Sequence, residues 1–194
     1  MVKSVSGRKE FQSTKVVRPP LCEIDETDLV INEEIISPIL RKLDRVCFVS
    51  AVLGLTEEDN YVRLELSNAT GNVVAFAREV KDVSEGDFVF VYGGVRVLKR
   101  GGVVSVSKIA PIDTTEVSDL MDYYLVEMIS QLTDALQNYH RKDLIAKEGR
   151  KHYGDQMSKY RNILNNMKKV LMDKYGVKEE IQVEEEDIEG LEID

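Results

Sequence analysis

Alternating apolar and polar residues define the centre of this chain. In residues 62–78, VRLELSNATGNVVAFAR, every second residue is apolar on both sides of an Asn-Ala-Thr-Gly turn: Val62, Leu64 and Leu66, then Val73, Ala75 and Ala77. Period-two alternation around such a turn predicts a β-hairpin with one buried face. The opposite face carries Arg63, Phe76 and Arg78, so cations and an aromatic ring lie where water is expected.

The same periodicity predicts five strands within residues 45–113. The first ends near Gly54 and is followed by a polar Thr-Glu-Glu-Asp loop, and a longer link separates the third strand from the fourth. Gly93 and Gly94 interrupt the fourth strand and predict a bulge. Five strands with this spacing are typical of an OB-fold barrel, although other small barrels also fit.

Helical periodicity follows the strands. Apolar residues recur at helical spacing from Val117 to Tyr139, and a second helical region with a basic opposite face extends to a stop at Gly176. A small barrel can cover only part of the first stripe, so the rest requires another helix, from this chain or from a partner. The predicted fold class is mainly β with α: a five-stranded OB-fold barrel followed by C-terminal amphipathic helices.

These patterns divide the chain into four predicted segments. They are an N-terminal arm (1–44), the OB-fold barrel (45–113), a C-terminal helical region (114–176) and an acidic flexible tail (177–194). The net charge of the whole chain is −9. Residues 178–194 hold nine carboxylates and one lysine, so the remainder is close to neutral.

Composition limits the class of protein. Hydrophobic residues make up 43% of the chain, which favours a packed core over disorder. The sequence has neither a long apolar run that could span a membrane nor an apolar segment at its N-terminus typical of a secretory signal. We therefore expect an intracellular protein, cytoplasmic or nucleoid-associated.

Residues that could support catalysis or bind a metal do not form a recognisable motif. His140 and His152 are not at metal-ligand spacing, and Cys22 and Cys47 lie far apart. No Gly-rich loop leads from a strand into a helix, and the carboxylates are concentrated in the tail and the N-terminal arm. We expect no enzymatic activity, no metal and no cofactor.

The outer face of the hairpin instead suggests a nucleic-acid interface. Binding of single strands needs cations for the phosphates and flat side chains for the bases. OB barrels carry both on strands two and three and on the loops after strands one and four. The candidate residues are Tyr61, Arg63, Phe76, Arg78, Arg96, Lys99, Arg100 and Lys108. Alternatively, the arginines are only solvated or ion-paired, and Phe76 is buried under the N-terminal arm or a helix.

Short motifs at the end of the predicted barrel resemble a known family. Gly86-Asp87, then Gly93, Arg96 and the segment Lys-Ile-Ala-Pro-Ile-Asp (108–113) precede a long amphipathic helix. This arrangement resembles the OB domain of the middle subunit of replication protein A and of archaeal replication protein A-associated proteins. The segment before the first strand also looks similar, so the resemblance covers about residues 37–138.

The resemblance implies an accessory subunit that binds single-stranded DNA in replication, repair or recombination. By position, Phe76 stands where the family often has an aromatic facing DNA, and Arg63, Arg78 and Arg96 are near its cationic positions. The resemblance also implies assembly with another replication protein A-like subunit, or self-association, through the helix after the barrel. The predicted partner-helix interface comprises Leu120, Tyr124, Leu125, Met128 and Leu132. Preference for DNA over RNA stays open, and the alternative is an OB-fold protein–protein interaction module without significant nucleic-acid affinity.

Overall fold

The computed structural model describes residues 16–176 of the chain. They form four helices and seven strands. The helices are α1 (Leu21–Asp25), α2 (Val117–Gln137), α3 (Leu144–Tyr153) and α4 (Met157–Tyr175). The strands are β1 (Leu29–Ile31), β2 (Glu34–Ile36), β3 (Arg45–Glu58), β4 (Tyr61–Asn68), β5 (Gly71–Ala77), β6 (Phe88–Leu98) and β7 (Gly101–Pro111).

Five strands close into a barrel in the order β3-β4-β5-β7-β6. Strand β5 runs parallel to β7, and the other neighbours are antiparallel. This closed barrel confirms the predicted fold class, and the hairpin between β4 and β5 has the predicted inward face. Its buried residues are Val62, Leu64, Leu66, Val73, Ala75 and Ala77.

Strand β3 extends beyond Gly54 into a run of polar residues that the sequence analysis assigns to a loop. The sequence places its end near Gly54, but β3 continues to Glu58 and pairs with β4 as far as Glu58 opposite Tyr61. The Thr-Glu-Glu-Asp segment is therefore mostly strand, and the prediction of a loop there is wrong. These residues are exposed, so their polarity reflects solvation rather than a turn.

The bulge predicted around Gly93 is present. The pairing of β6 with β7 shifts register between Tyr92 and Gly93. A Cβ atom on Gly93 would lie 2.4 Å from the carbonyl oxygen of Ser105, which is closer than any side chain tolerates. Only glycine allows the two strands to approach this closely.

The N-terminal segment closes one end of the barrel. Helix α1 lies against the β4–β5 and β6–β7 turns and adds Leu21 and Ile24 to the barrel core. Its Glu23 has no exposed surface and receives hydrogen bonds from the guanidinium of Arg41, one of them 2.7 Å long from Nε. The segment is therefore an integral part of the barrel core.

A second hydrophobic cluster holds the C-terminal helices together. Helix α4 packs on α2, and both meet Ile39 and Leu40 from the segment before the barrel. The region after α2, which the sequence treats as one helical region, is interrupted at Gly154 and forms α3 and α4. Gly176 ends α4 in a left-handed conformation, as predicted, with φ of 66°.

Some sequence-based predictions lie outside the described residues. They concern the acidic tail from residue 177 and the first 15 residues. Among residues 16–176, no helix is long and apolar enough to cross a membrane. In that same part of the chain, His, Cys, Asp and Glu form no group that could hold a metal ion.

Candidate nucleic-acid interface

The barrel pleat directs alternate residues of β4 and β5 outward. Arg63 lies directly opposite Phe76 in the β4–β5 pair. Tyr61, the first residue of β4, lies two residues before Arg63 and therefore on the same face of the strand. Their neighbours Val62, Leu64 and Ala75 fill the core. The inward apolar residues thus fix which side chains can reach solvent, as period-two geometry requires.

A cleft opens where β5 and β7 diverge. The two strands pair at only two positions, Ala75 with Val104 and Phe76 with Ser105. Beyond this point lies an open cavity of about 810 Å³. The predicted site residues that line it are Tyr61, Phe76, Arg78, Arg96 and Lys108.

Two aromatic rings lie together on one wall of this cleft. The centroids of Tyr61 and Phe76 are 5.4 Å apart and their planes meet at 80°, an edge-to-face pair. Tyr61 is 42% exposed, and Phe76 is half-buried. Because each ring restrains the other, a base that stacked here would need little further ordering of the protein.

Three cations face the same cleft. Among residues 16–176, no carboxylate oxygen lies within 4.0 Å of the charged nitrogens of Arg78, Arg96 or Lys108. Lys81 also lines the cleft but pairs with Glu79 at 3.1 Å on the surface. The wall therefore offers three positive charges that carry no neutralising partner within the described part of the chain.

The other three predicted cations lie elsewhere. Arg63 donates to Glu65 at 2.6 Å and does not line the cleft. Lys99 and Arg100 are exposed in the turn between β6 and β7, outside the cleft lining. The structure thus brings five of the eight candidate residues together.

Apart from Lys108, the sequence argument missed the contribution of β7. Ser105 and Ser107 place hydroxyl groups along the cleft, and Val103 and Ile109 contribute apolar surface. These residues become neighbours of Phe76 only through the parallel pairing of β5 with β7. The OB topology that the strand count suggested was the one signal that could have found them.

The predicted partner-helix interface is largely covered by the chain itself. Met128 and Leu132 are buried in the cluster between α2 and α4, and Leu125 packs at its edge. Tyr124 lies against Phe90 of β6, and burial raises the pKa of its hydroxyl to about 12. Leu120 is half-buried. Met128 and Leu132 therefore cannot face a partner in this structure, because α4 supplies the second helix that their stripe needs.

Comparison with known proteins supports the fold. No protein-family model matches the chain, and no curated protein matches it in sequence. One chain of a replication protein A heterotrimer bound to ssDNA is 16% identical, with a TM-score of 0.53 over 62% of this chain and 98% of that chain. A chain of the S. pombe Stn1-Ten1 complex is 9% identical, with a TM-score of 0.54 over 64% of this chain and 98% of that chain. At these identities, the likeness shows a shared OB fold.

Proposed function

We propose that this chain binds single-stranded nucleic acid, DNA foremost, through the cleft between β5 and β7. The observation that carries the proposal is the cleft itself. It joins an aromatic pair, the exposed Tyr61 and the half-buried Phe76, to three cations that have no carboxylate partner among residues 16–176. Aromatic rings beside unpaired cations are the combination that binds bases and phosphates without a sequence requirement.

The proposed mechanism is non-covalent, and the chain is not an enzyme. One or two bases stack on Phe76 and Tyr61, each contributing roughly 1–3 kcal/mol. Arg78, Arg96 and Lys108 hold the adjacent phosphates, and the hydroxyls of Ser105 and Ser107 accept or donate hydrogen bonds along the strand. With three cationic contacts, the affinity is modest and falls as salt rises.

We further propose that the chain is an accessory subunit of a replication protein A-like complex in replication, repair or recombination. One structural neighbour belongs to a replication protein A heterotrimer bound to ssDNA, and the other belongs to a Stn1-Ten1 complex. The net charge of −9 suits a subunit that works beside other DNA-binding chains better than a protein that coats DNA alone. The sequence resemblance around residues 86–113 points the same way.

One observation favours a second function, a protein–protein interaction module. Tyr123 and Val126 are each 52% exposed on the solvent side of α2. Exposed aromatic and aliphatic residues three positions apart share one helix face, which is typical of a partner contact. In this alternative the barrel is a scaffold, and the cleft has no useful affinity for nucleic acid.

Replacing Phe76 with Ala tests the cleft. We expect the dissociation constant for a fluorescein-labelled oligothymidylate to rise about 5- to 150-fold, since one stacking platform is lost. Fluorescence anisotropy at two salt concentrations measures this change. Tyr123→Ala is the matched control, because it removes an exposed ring from α2 outside the cleft and should bind as the unaltered protein does.

Two results would count against the cleft. Equal affinity of the Phe76→Ala and unaltered proteins would remove the proposed stacking role. No binding by the unaltered protein at high concentration and low salt would favour the interaction-module alternative. A further variant, Arg78→Ala, should reduce the slope of log affinity against log salt by about 0.7, the value for one phosphate contact on a single strand.

A further inference from the structure

The solvent side of α4 has an unusual composition. Acidic residues number 35 in the 194-residue chain, yet none occurs between residues 156 and 172. Apart from Ser158 and Val170, cations and amides occupy the exposed positions in this stretch. They are Lys159, Arg161, Asn162, Asn165, Asn166, Lys168 and Lys169.

The packing of α4 determines which side of the helix faces solvent. The opposite side of α4 is buried through Met157, Tyr160, Leu164 and Met167. These residues meet α2 and the segment that contains Leu40. Because the helix cannot rotate without breaking this cluster, its cations face solvent permanently.

Three of these cations have no local partner. Lys159 pairs with Glu26, but no carboxylate of residues 16–176 lies within 4.0 Å of the charged nitrogens of Arg161, Lys168 or Lys169. We call these three residues the basic α4 face. They occupy positions i, i+7 and i+8, which lie on one side of a helix.

The basic α4 face is not arranged to stabilise its own helix. An exposed helix gains from acid–base pairs four residues apart, but of these three cations only Lys169 has an acidic residue at that spacing, Asp173, and the two do not form an ion pair. Asn is a poor helix former, yet three asparagines occupy exposed positions of α4. Lysine, arginine and amide side chains are, however, the groups that donate to phosphate oxygens.

We propose that the basic α4 face binds the phosphodiester backbone of single-stranded nucleic acid as a second site, separate from the barrel cleft. The site takes any sequence, because its groups contact phosphate rather than base edges. This proposal rests on the proposed function in one respect, because both sites bind the same nucleic-acid strand. Charge complementarity identifies the ligand of the basic α4 face as a polyanion. The strand proposed to bind in the cleft identifies this polyanion as a nucleic acid.

The fold places the two sites within reach of one strand. Lys174, near the end of α4, donates to Ser118 in the first turn of α2 at 2.7 Å. Nine residues separate Ser118 from Ile109 in the cleft, a span of at most about 30 Å. Lys169 lies about 8 Å along the helix from Lys174. A strand of about 30 nucleotides, roughly 100 Å long when stacked, exceeds this path and can contact both sites, whereas one of about 8 nucleotides, roughly 27 Å when stacked, is shorter than the path.

The test uses the full chain with oligothymidylates of about 8 and 30 nucleotides. In the variant Arg161→Ala/Lys168→Ala/Lys169→Ala, we expect weaker binding of the long strand and unchanged binding of the short one. Three lost phosphate contacts lower the salt slope by about 2. The affinity of the unaltered protein for the long strand should therefore fall about 20-fold further between 50 and 200 mM salt than that of the variant.

The control removes the same charge from ion-paired positions outside both sites. Lys42, Lys159 and Lys174 each pair with a carboxylate, so Lys42→Ala/Lys159→Ala/Lys174→Ala should bind the long strand with the unaltered salt slope. Equal slopes for the test and control variants would overturn the second site while leaving the effect of Phe76→Ala intact. Tighter binding by the test variant would also overturn it, and would identify another occupant such as the acidic residues 178–194.

The two proposals can fail independently. If Phe76→Ala leaves the short strand bound as before while the α4 variant loses affinity for the long strand, the cleft is wrong and the basic α4 face stands. Thermal unfolding followed by circular dichroism accompanies each variant. The three substitutions replace exposed side chains, so we expect an unchanged melting temperature.

Discussion

Replacing Arg41 with Ala is expected to destabilise the protein by about 3–5 kcal/mol. Glu23 has no solvent-exposed surface, and the guanidinium of Arg41 satisfies both of its carboxylate oxygens. Removing the guanidinium leaves a buried carboxylate that must either stay charged without a partner or bind a proton. Urea unfolding followed by circular dichroism would measure the loss.

The neighbouring residue provides the control. Lys42 pairs with Glu34, but both side chains are well exposed, so Lys42→Ala should cost at most about 1 kcal/mol. Replacing both buried partners, as Arg41→Met/Glu23→Leu, should recover most of the stability, because an apolar pair leaves no unsatisfied charge. A small loss for Arg41→Ala alone would show that water or another group reaches Glu23.

Replacing Gly102 with Ala is expected to cost about 3 kcal/mol. The new Cβ atom would lie 2.1 Å from the carbonyl oxygen of Ile24 and 3.2 Å from that of Thr27. Both obstacles are backbone atoms, so α1 must move away from the barrel end that it closes. The melting temperature should fall by roughly 6–12 °C for a chain of this size.

Gly54→Ala is the matched control on another strand. Its nearest neighbours, atoms of Glu65, would lie 3.7 Å from the new Cβ atom, which is ordinary contact. The added methyl group also reduces the conformational freedom of the unfolded chain, so the variant should be as stable as the parent or slightly more so. Equal melting temperatures for the Gly102 and Gly54 variants would mean that α1 does not pack on the barrel as described.

Local patterns predicted those parts of the fold that depend on neighbours in sequence. The hairpin of β4 and β5 follows from alternation around one turn, and the stop of α4 follows from Gly176. Phe76 and Arg78 were found because the inward residues of the hairpin are so regular that the outward ones stand out. The bulge at Gly93 was signalled by glycine in a strand of β-branched residues.

The hydrophobic pattern of the sequence could not predict contacts between segments that are far apart in the chain. Ser105 enters the cleft through a parallel pairing between strands that are not consecutive. Arg63 is a predicted site cation, but the alternative of an ion-paired arginine holds for it, because Glu65 lies two residues later on the same strand face. Whether α4 covers Met128 and Leu132 depends on how α2 and α4 pack against each other. The apolar stripe of α2 alone does not show whether the helix that covers it belongs to this chain or to a partner.

The position of the N-terminal segment has a consequence for synthesis on the ribosome. Glu26 pairs with Lys159, and the backbone of Asp28 bonds to the Tyr153 hydroxyl, 125 residues later. Glu26 and Asp28 therefore wait for residues that are synthesised much later before their native contacts are complete. At roughly 5–20 residues per second, this delay lasts about 6–25 s. Nascent chains arrested before residue 153 should consequently be more susceptible to proteases near residue 28 than released ones.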